Sequence, residues 1–377
     1  MAKRQPAGDL VTNRQLNRTL LDRQMLLEKR RMSALEAVEK LVGLQAQEPL
    51  PPYIALWNRL DAFDPLELSQ HLADRSAVRV TLMRGTVHLV SAEDSLQIRP
   101  LVQPVLDRMY RSGVWAKGVN GDHLEAIREV GRRIVEETPL TTKQLGEALQ
   151  PLWPENDGHS MAYAMHALAP MVHVPPRGLW GGVGQTTVTT LESWLGRDLD
   201  PAPAIEDMVR RYLRVFGPAS VMDMQSWCGL TRLSEVFERL RPELRSYQDE
   251  SGRELFDLAT SELASPDLPA PVRFNPVYDN LFISHADRSR LGTREFQKMM
   301  TAANGFFATF MVDGVFRGRW ELKRDRQRSA VLSIMPFATP LSKTDAAAVE
   351  EEAQRLLTFL ASDAESRDVA MLPPRSS

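Results

Sequence analysis

Stretches of helically spaced apolar residues recur along this chain, and each leads through a second helix into β-branched runs around a turn. The first pass opens at Thr12-Asn13, an N-cap ahead of Leu16, Leu20, Leu21 and Met25. Ser33-Ala34-Leu35-Glu36 has the form of a capping box and starts a helix carrying Leu35, Val38, Leu41 and Val42 on one face, with its end near Gly43. Helical runs from Tyr53 to Leu60 and from Leu66 to Leu72 follow. Val78 to Met83 and Thr86 to Val90 then flank Arg84-Gly85 as a β-hairpin. The second pass places helices over 122–137, from Lys143 to Leu149 and over 160–168. Met171 to Val174 and Thr186 to Thr189 form its strands, separated by Pro175-Pro176-Arg177-Gly178 and a Gly-rich turn. The third has helices over 204–216, from Val221 to Trp227 and from Leu233 to Leu240, with a hairpin from Leu244 to Leu255 around Ser251-Gly252.

Helix, turn, helix, hairpin is the order of a winged helix-turn-helix. The repetition is architectural, because no residue-level period accompanies it. Residues 263–276 are Pro-rich and read as an extended connector. Beyond them, Phe306 to Val312 and Val315 to Leu322 flank Asp313-Gly314, a strong hairpin signal, and Val331 to Pro336 adds a strand. Thr344 to Ala361 is an amphipathic helix with Val349, Ala353, Leu356, Leu357 and Leu360 on its apolar face. The expected fold class is therefore α+β: three tandem winged helix-turn-helix domains with a C-terminal antiparallel β-hairpin region. The boundaries fall at 10–118, 119–200, 201–262 and 263–377.

Composition narrows the function classes. At 377 residues, 43% hydrophobic and 25% charged, the chain is globular and long enough for several domains. One cysteine, Cys228, rules out an internal disulfide, argues against a cysteine-based zinc site and reads as a buried hydrophobe. No run of 18 apolar residues could span a bilayer, and the N-terminus lacks an apolar secretion segment, so a soluble cytoplasmic protein is expected. The 46 basic residues divide into 8 Lys and 38 Arg, against a net charge of −3. The Arg excess fits either a GC-rich coding sequence or a phosphate-binding surface. Net charge does not decide, because binding depends on where charge lies.

Few motifs carry chemistry. Gly181-Gly182-Val183-Gly184 opens no helix and is not a phosphate cradle; the 7 histidines are scattered, so neither metal nor cofactor is expected. Gln45-Ala46-Gln47 either follows a helix end without a role or sets two carboxamides on one face of an extended stretch, able to hold a water or a sugar hydroxyl. Amides do not ionise, so neither is a strong base. Glu48 projects oppositely if the stretch is extended. Arg84 to His88 is either a solvated turn or a wing reaching phosphate. Ser284-His285-Ala286-Asp287-Arg288-Ser289-Arg290 is either a hydrogen-bonded turn or a DNA-facing loop.

Order and spacing bring these segments together. Gly43-Leu44-Gln45-Ala46-Gln47, Arg84-Gly85-Thr86-Val87-His88, Pro175-Pro176-Arg177-Gly178, Ser284 to Arg288 and the Asp313-Gly314 hairpin ending at Trp320 make the chain resemble the AlkZ-like bacterial DNA glycosylases. The resemblance covers most of the sequence. It implies tandem winged helices around a C-shaped DNA-binding cleft, with Gln45 and Gln47 as the catalytic Gln-x-Gln pair. Gln at both ends, where a sister branch has Gln-x-Asp, places the chain with the branch linked to self-resistance against genotoxic natural products. The implied activity is monofunctional: hydrolysis of the N-glycosidic bond of bulky N7-alkylguanines in double-stranded DNA, interstrand crosslinks included, by a monomer. Arg84, His88, Arg177, His285, Arg288, Arg290, Arg317 and Arg319 are the expected DNA contacts, with the Asp313-Gly314 hairpin as a minor-groove probe. Two competing readings are a non-catalytic winged-helix regulator and a protein that sequesters lesions without cleaving them.

Overall fold

The computed structural model describes residues 9–292, 296, 307–325, 328–337 and 339–374. The fold is α+β, with three sheets wrapped by helices. Helices Ala34–Lys40, Pro51–Arg59 and Pro65–Ala73 precede strands Ala77–Thr81 and Val87–Ser91. Helices Leu124–Glu137, Thr142–Leu149 and Gly158–Leu168 precede strands Met171–Val174 and Thr187–Thr190. Helices Ile205–Phe216, Val221–Cys228 and Ser234–Leu240 precede strands Leu244–Asp249 and Glu254–Leu258. Local chemistry sets these helix starts. Ser33, Asp64, Thr141, Asp157 and Ser220 each accept a backbone N–H of the first turn, relieving donors that the helix itself leaves unpaired.

The first two hairpins join edge to edge. Ala77–Thr81 pairs antiparallel with Met171–Val174, Arg79 facing His173 and Val80 facing Val172. The result is one five-stranded sheet running Leu44–Gln45, Val87–Ser91, Ala77–Thr81, Met171–Val174, Thr187–Thr190. The third hairpin takes a parallel partner from the N-terminus, Asp9–Val11 along Tyr247 to Asp249.

The last third forms its own five-stranded sheet. Arg273–Asn275, Thr309–Val312, Val315–Asp325 and Ser329–Pro336 are antiparallel, and Ser366–Met371 is added parallel at the edge. Helix Lys343–Leu360 buries Val349, Ala353, Leu356, Leu357 and Leu360 in the core of this sheet, with Phe274, Phe310 and Trp320. The strand expected to begin at Phe306 begins at Thr309; Phe306 lies outside the described residues. The stretch read as a connector contributes strand Arg273–Asn275.

One apolar core runs through segments that sequence reading separates. Val80 and Leu89 of the first hairpin, Tyr212 and Trp227 of the third group of helices, and Phe282 and Phe316 of the last third all belong to it. Cys228 is buried there with no disulfide partner. Among the described residues no helix is long and apolar enough to cross a membrane.

Candidate active site

The Gln-x-Gln segment is aimed by how its helix stops. Helix Ala34–Lys40 closes through Leu41 and Val42, and the Gly43 amide donates back to the Val38 carbonyl at 2.9 Å. Gly43 has φ +89°, and a Cβ there would stand 2.6 Å from Cγ1 of Val90 and 3.0 Å from the Leu89 carbonyl. Only glycine lets the chain turn this close to the neighbouring strand. Leu44 and Gln45 then pair with Leu89 and His88, and the Ala46 amide donates to the Val87 carbonyl at 2.7 Å. The strand ends there, and Pro49 and helix Pro51–Arg59 carry the chain away.

Both glutamines reach the 84–87 turn, but not as a matched pair. Gln45 is buried and Gln47 is exposed. Oε1 of Gln45 accepts from the Arg84 guanidinium at 2.9 Å, and Oε1 of Gln47 accepts from the Val87 amide at 3.2 Å. Each donor has only protons to offer, so both amides are fixed with oxygen toward the turn. Neither NH₂ group has a hydrogen-bond partner among the described residues. The two amides thus reach the same turn from one residue paired in the sheet and one exposed residue just beyond it. Glu48 is exposed beside them.

Two arginines brace this segment from opposite sides. Arg79 donates to the Ala46 carbonyl at 2.9 Å and to the Arg177 carbonyl at 3.2 Å, tying the motif to the second hairpin. Arg84, in the left-handed region at φ 56°, donates to Gln45 and to the Trp227 carbonyl, tying the motif to the third group of helices. Burial pushes both guanidiniums down to about 10, so both remain charged at neutral pH. Arg79 was not singled out by the sequence, where it looks like any strand arginine.

Several expected DNA contacts prove to be internal. His88 is buried, its Nδ1 bonded to the Thr86 carbonyl, and burial lowers it to about 3. His285 is fully buried: its Nε2 donates to the Phe216 carbonyl at 3.1 Å and its Nδ1 accepts from the Ser284 hydroxyl at 2.7 Å. Arg290 is buried and donates to the Pro218 carbonyl at 2.9 Å. The amides of Ala286 and Asp287 donate to Asp223. His285, Arg290 and the backbone of residues 286 and 287 therefore form a joint to the third group of helices rather than phosphate contacts. The Asp313-Gly314 turn is likewise pinned: Arg14 and Arg18 hold the Asp313 carboxylate and Asn17 donates to the Gly314 carbonyl at 2.8 Å. A turn docked on helix Asn13–Arg23 does not probe a groove.

Other expected contacts keep a route to solvent. Arg177 is half-buried, and among the described residues its guanidinium reaches only the Gly184 carbonyl, at 3.4 Å. Arg317 and Arg319 alternate with buried Phe316, Gly318 and Trp320 on one strand, and neither guanidinium forms an ion pair among the described residues. Arg288 is half-buried, with its Nε buried and unpartnered among the described residues. It lies close enough to Arg84 for the two charges to repel, which helps lower Arg84. No cluster of metal-binding side chains occurs among the described residues.

A family model described as "DNA glycosylase AlkZ-like" matches residues 38–359. The chain belongs to this DNA glycosylase family and is an enzyme of that class. It is 24% identical over 388 residues to an "Interstrand DNA cross-link repair glycosylase" of Streptomyces sahachiroi, covering 94% of this chain and 96% of that one. Its fold is similar to the solved structure of Streptomyces sahachiroi DNA glycosylase AlkZ, with TM-score 0.74, 23% identity, and coverage of 96% of this chain and all of the other.

Proposed function

We propose that this glycosylase releases bulky N7-alkylguanines, interstrand crosslinks among them, and so protects a cell from genotoxic natural products. The observation that carries the reading is the amide pair: Gln45 and Gln47 both turn their oxygens to the 84–87 turn, Gln45 onto Arg84 and Gln47 onto the Val87 amide, and neither NH₂ group has a hydrogen-bond partner among the described residues. Glycoside hydrolysis ordinarily needs a carboxylic acid to protonate the leaving group. N7-alkylation has already made guanine cationic, so cleavage of the C1′–N9 bond returns its electron pair to a base that leaves neutral. Water then adds to C1′ and its proton passes to solvent. What remains for the enzyme is to place that water and tolerate a cationic sugar, which neutral amides do by orientation. Exposed Gln47 holds the water, and buried Gln45, fixed by Arg84, sets the sugar side of the site. Tandem winged helices would form a C-shaped cleft around duplex DNA, with Arg177, Arg288, Arg317 and Arg319 on phosphates. The crosslink named for the Streptomyces relative supports this substrate class, since a base tied to both strands cannot enter a closed flipping pocket.

The test uses a duplex bearing a defined N7-guanine crosslink, treated with wild type, Gln45→Ala and Gln47→Ala and run on a denaturing gel after abasic-site cleavage. Wild type is expected to separate the strands and leave an abasic site, and each variant to lose at least a hundredfold in rate while binding the duplex as before. Tight lesion-dependent binding without base release would instead make the chain a sequestering protein and the amide pair a structural turn.

A further inference from the structure

We propose that an open aromatic pocket beside the Arg84-Gly85 turn receives a planar ring carried by the alkylated base; this rests on the lesion reading above and adds the chemical class of substituent. The pocket, of about 230 Å³, is lined by Thr81, Gly85, Met109, Tyr110, Trp115 and Tyr163. Trp115 and Tyr163 stack with ring centres 4.7 Å apart and planes 26° off parallel, and His159 meets Trp115 edge-on at 4.8 Å. Such a ladder is a stable way to present aromatic faces. In a protein core it would be covered. Here Tyr163 is 44% exposed, Met109 46% and the adjacent Val114 70%.

Position links the pocket to the chemistry. Gly85 is two residues from Val87, whose amide holds Gln47, and Thr81 pairs with Val87 across the sheet. Size and charge indicate the occupant. The volume is below that of pockets which enclose a whole drug-sized molecule, but it admits one ring system. Exposed Arg108 and Arg111 share the helix Gln103–Ser112 with the lining residues Met109 and Tyr110, exposed Lys117 is two residues from Trp115, and neither Arg111 nor Lys117 forms an ion pair among the described residues. Aromatic faces with exposed cations this close in the chain suit a ring attached to a phosphate-bearing strand better than a peptide or a lipid.

The test measures binding by fluorescence anisotropy to three duplexes: unmodified, carrying N7-methylguanine, and carrying N7-(naphthylmethyl)guanine, each adduct on a 2′-fluorinated sugar that slows base loss. Wild type is expected to bind the naphthyl duplex about tenfold more tightly than the methyl duplex. Trp115→Ala abolishes that preference without changing affinity for the other two duplexes, and Trp115→Phe retains it; Tyr163→Ala serves where Trp115→Ala does not fold. A preference that survives in both Ala variants, or an equal loss on all three duplexes, overturns the proposal. Base release is followed in parallel on unfluorinated duplexes. If wild type releases neither base yet shows a Trp115-dependent naphthyl preference, the catalytic reading fails and the pocket stands.

Discussion

At the scale of the single residue, the site depends on which atoms of Gln45 and Gln47 are already engaged. Arg84 is the donor that decides this for Gln45, and it also reaches Trp227 in the third group of helices. Replacing it by Ala removes charge-assisted bonds and leaves two acceptors in the interior without a donor, a loss of about 2–3 kcal/mol. Arg84→Ala should therefore lower the denaturation midpoint and also slow single-turnover base release, since Gln45 becomes free to rotate. Arg84→Lys keeps the charge but not the fork, and should recover stability better than rate. Equal recovery of both would show that charge alone, not the aim of the amide, is what Gln45 needs.

At the scale of the element, the clearest lesson is the hairpin around Asp313-Gly314. The dipeptide called for a tight turn, and both residues do have positive φ, 48° and 75°. Its environment was not legible. A Cβ on Gly314 would lie 2.6 Å from the Arg18 guanidinium, 2.6 Å from Oδ1 of Asn17 and 2.7 Å from Leu21, because the turn is seated on the N-terminal helix. Gly314→Ala should cost about 1–3 kcal/mol in a denaturant melt, combining strained backbone with a displaced joint. A neutral result would mean that the seat yields easily. Other elements were hidden for related reasons. Asp9–Val11 and Ser366–Met371 become strands only by lying beside a distant partner, and Pro100 and Pro104 disguise the helices Ala92–Leu101 and Gln103–Ser112.

At the scale of the whole molecule, buried histidines are spread through the fold. Burial lowers His88, His173 and His285 to about 3 and His166 to about 4. Unfolded, each takes a proton near pH 6.5. Between that pH and about 4 the unfolded chain binds protons that the folded one refuses, so stability rises with pH across this window and is unaffected by these groups above it. The Tm should fall on acidification below about pH 6.5, as the unfolding free energy drops with a slope approaching about 1.4 kcal/mol per pH unit for each such histidine. His285→Gln, which keeps a donor for the Phe216 carbonyl, should make that acid arm shallower by one proton. An unchanged slope would show that His285 accepts its proton in the folded state.

The sequence by itself determined the helix starts, the hairpin turns, the alternating faces of the strands and the Gln-x-Gln motif, because each is local: a cap, a positive φ or a periodicity is complete within a few residues. The family resemblance drew on the same short segments. Tertiary structure alone decided which polar residues face inward. His88, His285 and Arg290 look in sequence like Arg177 or Arg317, yet their donors are spent on the carbonyls of Thr86, Phe216 and Pro218. Tertiary packing also joined the first two hairpins into one sheet, set Arg79 and Arg84 against the motif, and placed Trp115 and Tyr163 in one pocket with Gly85. Such facts depend on contacts between residues far apart in the chain, and no local pattern encodes which distant carbonyl a buried donor will meet.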